Sequence, residues 1–538
     1  MSAITPQTEL RLIKCPIESD NRNQLTFASK TAQYNYFNSL PHLTVDNFTY
    51  QRKDNIIRYP AHIDSIITYN YVMYQNEAYT NKWFYAFITN MEYVNDNMTL
   101  ITIKTDVYQT WMFDMVWKQS FIEREHVNSD NYGEHTIPEN LETGDYVQIY
   151  GTDYNFTGTS HIVMASNVSP YDGTTAVSGD EYGGIYSGVC YYVFQNTNKL
   201  KQALETIATE GNSNSIVSLF YCPDFITKYS TAHWDNGIAE VPNDSSIKST
   251  TSIGIPLTPG RLAGGYEPIN KKLFSYPYVA YVLSNNAGDS YTYHLEDFYN
   301  DGTNSGTIEI WGSCTPGCSI RAIPKYYKAL DDVLPSEYNN EYGLNAGKLP
   351  VCSWANDTYT NWLTQQSVNF FGTKLSYEDW ATIGGTASAG LGALKLYGGD
   401  SSGASDIING FGGIFNVMQQ EYQHSFNSMV AQGNVNSGDV TFSIGKLCFS
   451  GYLMSIKPEY ARVIDKYFSM YGYKVNTVKI PNITGRTNWN YVKTIGANIQ
   501  GDVPEDHLNE IKSLFNNGIT LWHNPTTYLD YSQSNAIV

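Results

Sequence analysis

Residues 381–415 have the most unusual composition in this chain of 538 residues. Glycine, alanine and large apolar side chains dominate them, and Lys395, Asp400 and Asp406 are their only charged residues. Side chains of this kind favour transfer out of water into an apolar surrounding such as a membrane. The residues on which this chemistry depends are Ile383, Leu391, Leu394, Leu396, Ile407, Ile408, Phe411, Ile414 and Phe415.

Small residues recur every four positions at the start of this segment, at Ala381, Gly385, Ala389 and Ala393. That spacing lets helices approach closely in an apolar medium. Two apolar arms flank a polar tip at residues 398–405, which predicts a helical hairpin that acts in several copies. The alternative is an ordered loop packed inside an oligomer. Both interpretations hold if the loop is first stored and later released.

Two histidines lie beside acidic residues that can exchange protons with them. His126 follows Glu123 and Glu125, and His135 follows Glu134. Surface histidines beside glutamates are common, and the chain has no GxSxG, HExxH or Walker sequence. We therefore predict that the protein is not an enzyme. A cell-wall or carbohydrate-active enzyme is the alternative, because aromatic and carboxylate side chains are abundant.

The cysteines and glycines predict neither a metal site nor a cofactor. Cys314 and Cys318 flank a Pro-Gly turn, but no second ligand pair with zinc spacing accompanies them. Gly390 and Gly392 lack the third glycine of a dinucleotide fingerprint. The seven cysteines are scattered, and residues 1–15 do not resemble a secretory signal. These features favour a reduced protein made in the cytosol.

The net charge of −19 argues against nucleic acid held through its phosphates. It is compatible with a passage through which DNA slides, because like charge prevents binding. The 45 tyrosines exceed the 33 lysines and arginines together. An excess of tyrosine is typical of half-exposed strands and extensive interfaces.

The elements that must position the apolar segment are mostly short strands, which predicts a multidomain α+β protein, mainly β. The predicted divisions are a β-rich domain at 1–127, a β-rich middle region at 128–375, the apolar loop at 381–436 and an α+β domain at 437–538. The amphipathic stretch 414–429 belongs to the loop. In the last domain the order β-α-β-β-α-β predicts a ferredoxin-like split βαβ unit.

Local signals place several elements. Residues 83–93 and 98–105 form a predicted hairpin around Asn95-Asp96-Asn97. Asp106 begins a predicted helix that runs through Val107 and Trp111 to Met115. Helices are also predicted at 459–470 and 504–515, and strands at 440–456, 473–480, 489–499 and 519–522.

Two segments resemble a known family. They are KTDVYQTWMFDMVWKQSFIEREHV at 104–127 and the region 467–525, which contains YGYKVNTVKIPNITGRTNWNYVKTIGANIQGD and LFNNGITLWHNP. Together with an apolar insert between them, they resemble the distal tail tube or tail knob proteins of small short-tailed phages of the picovirus type, the Salasmaviridae group.

The resemblance implies a structural virion protein at the tail tip. It implies a hexameric, tube-forming subunit that contacts other tail proteins, such as the proximal tail tube or lower collar. Hydrophobic loops, here residues 381–436, would plug the channel and later penetrate the host membrane. Viral DNA would pass through without sequence-specific binding. A tube or receptor-contact protein whose loop is only a plug is the alternative.

Overall fold

The computed structural model describes residues 8–46, 50–51, 55–76, 82–177, 179, 181–182, 185–186, 188–212, 215–242, 249–299, 303–316, 319–328, 340–351 and 442–538. These residues form a mainly β structure with few helices, as the sequence predicts. They divide into two compact units. The first contains residues up to 141, residues 269–272 and residues from 462 onward, and the second contains residues 142–268 and 273–461.

The helices are α1 Lys30–Ser39, α2 Ile63–Ile66, α3 Val107–Trp111, α4 Thr197–Thr209, α5 Asp224–Thr227, α6 Pro458–Tyr471 and α7 Glu505–Asn517. The strands of the N-terminal part are β1 Thr8–Ile13, β2 Asn23–Leu25, β3 His42–Asp46, β4 Tyr50–Gln51, β5 Ile56–Tyr59, β6 Tyr71–Asn76, β7 Trp83–Asn95, β8 Met98–Thr105, β9 Met115–Trp117 and β10 Ser120–Glu125. Those of the middle part are β11 Tyr146–Asn155, β12 Ser160–Ser166, β13 Glu181–Tyr182, β14 Ile185–Tyr186, β15 Cys190–Phe194, β16 Ile216–Pro223, β17 Ile238–Glu240, β18 Ser249–Pro256, β19 Val279–Ser284, β20 Ser290–Tyr293, β21 Ser305–Gly312, β22 Ser319–Lys325 and β23 Leu344–Lys348. Those of the C-terminal part are β24 Cys448–Ile456, β25 Tyr473–Lys479, β26 Trp489–Ile495, β27 Ile499–Gly501 and β28 Ile519–Trp522.

The largest sheet of the first unit has the strand order β3-β1-β6-β7-β8-β5-β4. Its long hairpin β7–β8 confirms the predicted one, and Ile101 and Ile103 alternate into the core. The side chain of Asp106 accepts a hydrogen bond from the Gln109 amide at 3.1 Å and begins α3, as predicted. The helix is shorter than predicted, because it ends at Trp111 and Met115 belongs to β9.

A second sheet of the first unit has the order β2-β28-β26-β10-β25. The predicted order of elements from β24 to β28 is present, apart from the short added strand β27. The ferredoxin-like interpretation is nevertheless wrong, because β24 pairs with β11 and β19 in another sheet. Strand β10 takes a place between β26 and β25. Pairing with distant parts of the chain, which local patterns do not report, decides this topology.

The second unit contains three four-stranded sheets and a short hairpin. The sheets have the orders β11-β24-β19-β20, β16-β12-β15-β17 and β18-β21-β22-β23, and β13 pairs with β14. Every residue of β24 is buried, which makes it a central strand. The predicted domain limits at 127, 375 and 437 stay predictions. In the described part of the chain, no helix has the length and apolar character needed to cross a bilayer.

Candidate functional site

The residues that carry the predicted membrane and packing chemistry lie outside the described part of the chain. This holds for Ile383, Leu391, Leu394, Leu396, Ile407, Ile408, Phe411, Ile414 and Phe415, and for Ala381, Gly385, Ala389 and Ala393. The amphipathic stretch 414–429 lies outside it as well. The structure describes the chain on both sides of residues 352–441. We call residues 349–351 and 442–447, which flank that segment, the insert base.

Both sides of the insert base meet the same strand. On the leading side, the Pro350 carbonyl accepts a hydrogen bond from the Tyr221 amide at 3.0 Å, and Val351 forms an antiparallel bridge with Phe220. On the trailing side, the Phe442 ring lies 4.5 Å from the Tyr221 ring. Residues 352–441 therefore leave and rejoin the described structure at two neighbouring residues of β16.

Strand β16 is an edge strand of its sheet, which explains why it can receive the chain. Its inner side pairs with β12, where Val163 lies opposite Phe220. Its outer side presents main-chain groups that require partners. The leading side of the insert base supplies one, since Pro350 satisfies the Tyr221 amide.

Apolar packing holds the base in place. Phe220 is completely buried, and Val351 packs against the cluster that also contains Val163 and Val193. Phe442 is buried on the trailing side. Burial raises the pKa of the Tyr221 hydroxyl to about 12, so this ring stays neutral at physiological pH.

The trailing side is held by the end of β11 as well. The Leu447 carbonyl accepts from the Phe156 amide at 3.0 Å, and the Asn155 side chain donates to the Gly445 carbonyl at 3.2 Å. Lys446 lies 4.0 Å from Asp153. The chain then enters the fully buried β24. The base is therefore a fixed attachment made by the core of the second unit.

The histidines with a possible catalytic role are bound to main-chain groups. His126 is buried, donates from Nε2 to the Ser469 carbonyl at 3.1 Å and accepts at Nδ1 from the Tyr491 amide at 2.8 Å. Burial and nearby Arg486 lower the pKa of His126 to about 3. The ring of His135 lies 2.8 Å from the Ser129 carbonyl and 4.0 Å from Glu134. The structure thus gives both rings a positioning role.

The candidate metal ligands are not brought together by the described structure. Cys314 is partly buried, whereas Cys318 lies outside the described residues. Among the described residues, no three or more His, Cys, Asp or Glu side chains are grouped so that they could hold a metal ion.

Sequence reasoning missed a buried ion cluster in the first unit. The fully buried carboxylate of Glu139 accepts from Lys272 at 2.5 Å, from the Lys474 amide at 2.8 Å and from Arg124. Arg124 also donates to the Gly472 carbonyl at 2.7 Å. Burial lowers the pKa of Lys272, and Glu139 opposes that effect. These residues are far apart in the chain, so no local pattern reveals them.

Two family models match the chain. One, described as the C-terminal domain of the tail knob protein gp9 of Bacillus phage phi29, matches residues 245–536, which is more than half of the chain. The other, described as the N-terminus of the caudoviral major tail protein, matches residues 6–118.

Curated relatives match over nearly the whole length. The tail knob protein gp9 of Bacillus phage phi29 is 27% identical, with 96% of each chain covered. That of Bacillus phage B103 is 25% identical, with 98% of each covered. Among solved structures, the tail knob protein gp12 of bacteriophage C1 has a TM-score of 0.66 at 16% identity and covers 99% of this chain and 100% of its own. These relatives are named tail knob proteins, and the last likeness concerns the fold alone.

Proposed function

The chain belongs to the family of the tail knob protein gp9 of Bacillus phage phi29, and we propose that its insert closes the DNA channel and then enters the host membrane. Its location is the virion tail, where it is a structural protein among other tail proteins. In this proposal six copies form the distal end of the tail tube. Their loops, residues 381–436, fill the lumen until genome ejection.

The observation that supports the proposal is the insert base, whose two sides contact neighbouring residues of the same strand. A segment that leaves and rejoins the fold at Phe220 and Tyr221 can be displaced without breaking a sheet between its two ends. Its attachment stays packed against the fold at the partly buried Val351 and the buried Phe442. This arrangement suits a loop that changes its surroundings while the tube that carries it keeps its structure.

Composition supports both stages. The insert is too apolar for water, so storage inside an assembly covers it, and a membrane covers it after release. The net charge of −19 suits a channel that does not retain DNA. Passage of DNA therefore requires displacement of the plug and no sequence-specific contact.

Dye-loaded liposomes test the membrane stage. We expect the assembled full-length protein, with and without mild acid, to release dye, and the variant lacking residues 381–436 to release none. Leu394→Asp places a charge in the insert and should lower release about tenfold or more, because a charged side chain is costly in a bilayer. The matched control is Ile269→Asp at an exposed position far outside the insert, which should leave release unchanged. Equal release by the deletion variant and the full-length protein would contradict the membrane role.

The same base also suits a loop that serves only as a plug. In that case the full-length protein releases no dye in any form, while virions with the deletion lose their DNA before infection. Because loss of DNA is expected under both functions, dye release by the full-length protein is the measurement that separates them.

A further inference from the structure

Three exposed apolar side chains form a row across neighbouring strands of the sheet β2-β28-β26-β10-β25. Phe121 on β10 lies opposite Val478 on β25 and opposite Ile495 on β26. Their side chains are 36%, 63% and 58% exposed, respectively. We call Val478, Phe121 and Ile495 the apolar row.

The row is a continuous surface and is not required by the core of the unit. The side chains of cross-strand neighbours on one face of a sheet lie within contact distance of each other. Ile122, the next residue after Phe121, points to the other face and is completely buried. Ile480, two residues after Val478, is 59% exposed and extends the same apolar character. Contiguous exposed apolar side chains, unlike isolated ones, mark interaction sites.

One exposed lysine and a sheet edge accompany the row. Lys118 is exposed three residues before Phe121. Lys493, two residues before Ile495, pairs with Glu123 at 2.9 Å. Strand β25 is the last strand of this sheet among the described residues. Because Glu123 neutralises Lys493 and Lys118 stays exposed, an occupant should combine apolar side chains with a negative charge for Lys118.

The tip of the hairpin β7–β8 has that chemistry. Tyr93 and Val94 are large exposed hydrophobic side chains at its end. Glu92 and Asp96 are exposed beside them, and the Tyr93 hydroxyl donates to Asp96 at 2.6 Å. The tip thus matches the apolar row in apolar character and has acidic side chains that can pair with Lys118.

We infer that the apolar row binds the β7–β8 tip of a second copy of this chain. The contact joins two different surfaces, and repeated contacts of this type close into a ring when the rotation between copies permits. The inference rests on the part of the proposed function in which several copies form a closed assembly. It is tested by assembly alone, so its failure leaves the membrane test of the insert unaffected.

Mass photometry of purified variants gives the first test. Val478→Asp puts a charge into the row and should weaken self-association about tenfold or more, because the apolar contact is replaced by a buried charge. Val217→Asp is the matched control, since Val217 on β16 is also 63% exposed and lies outside the row. Thermal unfolding should show that both variants stay folded. Equal assembly of the two variants would overturn the inference.

Mixing separates this contact from other occupants of the row. Val94→Asp, at the tip, should also fail to assemble alone, and normal assembly of this variant would overturn the role of the hairpin. In a mixture of the two variants, Val94→Asp keeps the intact row that Val478→Asp lacks, and Val478→Asp keeps the intact tip that Val94→Asp lacks. The mixture should form two-chain complexes and nothing larger, whereas no association would exclude a head-to-tail contact. Repetition of both tests in chains lacking residues 381–436 should give the same result, while loss of the Val478→Asp effect there would show that the insert occupies the row.

Discussion

Glu139 is the residue at which separate parts of the first unit converge. Its carboxylate contacts Lys272 from the short segment 269–272, Arg124 on β10 and the Lys474 amide on β25. Each cation has little other access to water. The two buried cations are tolerated because they share the Glu139 carboxylate as their counter-charge.

Glu139→Gln tests this dependence. The amide removes the negative charge and leaves Lys272 and Arg124 buried together, so the free energy of unfolding should fall by about 3–5 kcal/mol. Urea denaturation measures the change, and Glu142→Gln, the same change at an exposed nearby position, is the control. Equal midpoints for the two variants would show that the cluster does not stabilise the fold.

At the scale of elements, local sequence patterns predicted several helices and strands correctly. The hairpin β7–β8, the start of α3 at Asp106 and the strand β28 follow from turn, cap and alternation signals. Sheet membership did not follow, because β24 reaches its partners β11 and β19 over long stretches of chain. The insert base was missed for the same reason, since nothing in the sequence around Phe442 points to Tyr221.

The junction between α6 and β10 depends on Gly472, the residue that follows α6. It has a φ of +65°, and its amide donates to the Phe468 carbonyl at 2.8 Å. A Cβ there would lie 2.1 Å from the Glu125 carbonyl oxygen, whereas Gly496, with a φ of +72°, has open space around it. In both alanine variants the left-handed backbone lowers the free energy of unfolding by roughly 1–2 kcal/mol.

Gly472→Ala must additionally move β10, so it should lower the thermal midpoint clearly more than Gly496→Ala does. Differential scanning calorimetry of the two variants measures the difference. Similar midpoints would show that the backbone of Glu125 can yield without cost.

At the scale of the whole molecule, the sequence indicated an apolar insert in a β-rich protein, and the structure shows where the longer segment that contains it, residues 352–441, leaves and rejoins the fold. Its two flanks are separated by 90 residues, numbered 352–441, yet they contact adjacent residues of β16. Loop-closure entropy rises slowly with loop length, so a fold can carry such a long segment at modest cost. The insert should therefore be separable from the fold that holds it.

Replacement of residues 352–441 by a flexible Gly/Ser linker tests this separation. A linker of about eight residues reaches about 25 Å, enough to join Val351 to Phe442 across Phe220 and Tyr221. We expect the shortened chain to keep a cooperative thermal transition within a few degrees of the full-length protein, because each contact of the base is retained. Phe442→Asp in the shortened chain should lower that midpoint, since it places a charge at a buried position against the half-buried Tyr221 ring. A shortened chain that unfolds far below the full-length protein would mean that residues 352–441 stabilise the second unit and cannot be displaced independently of it.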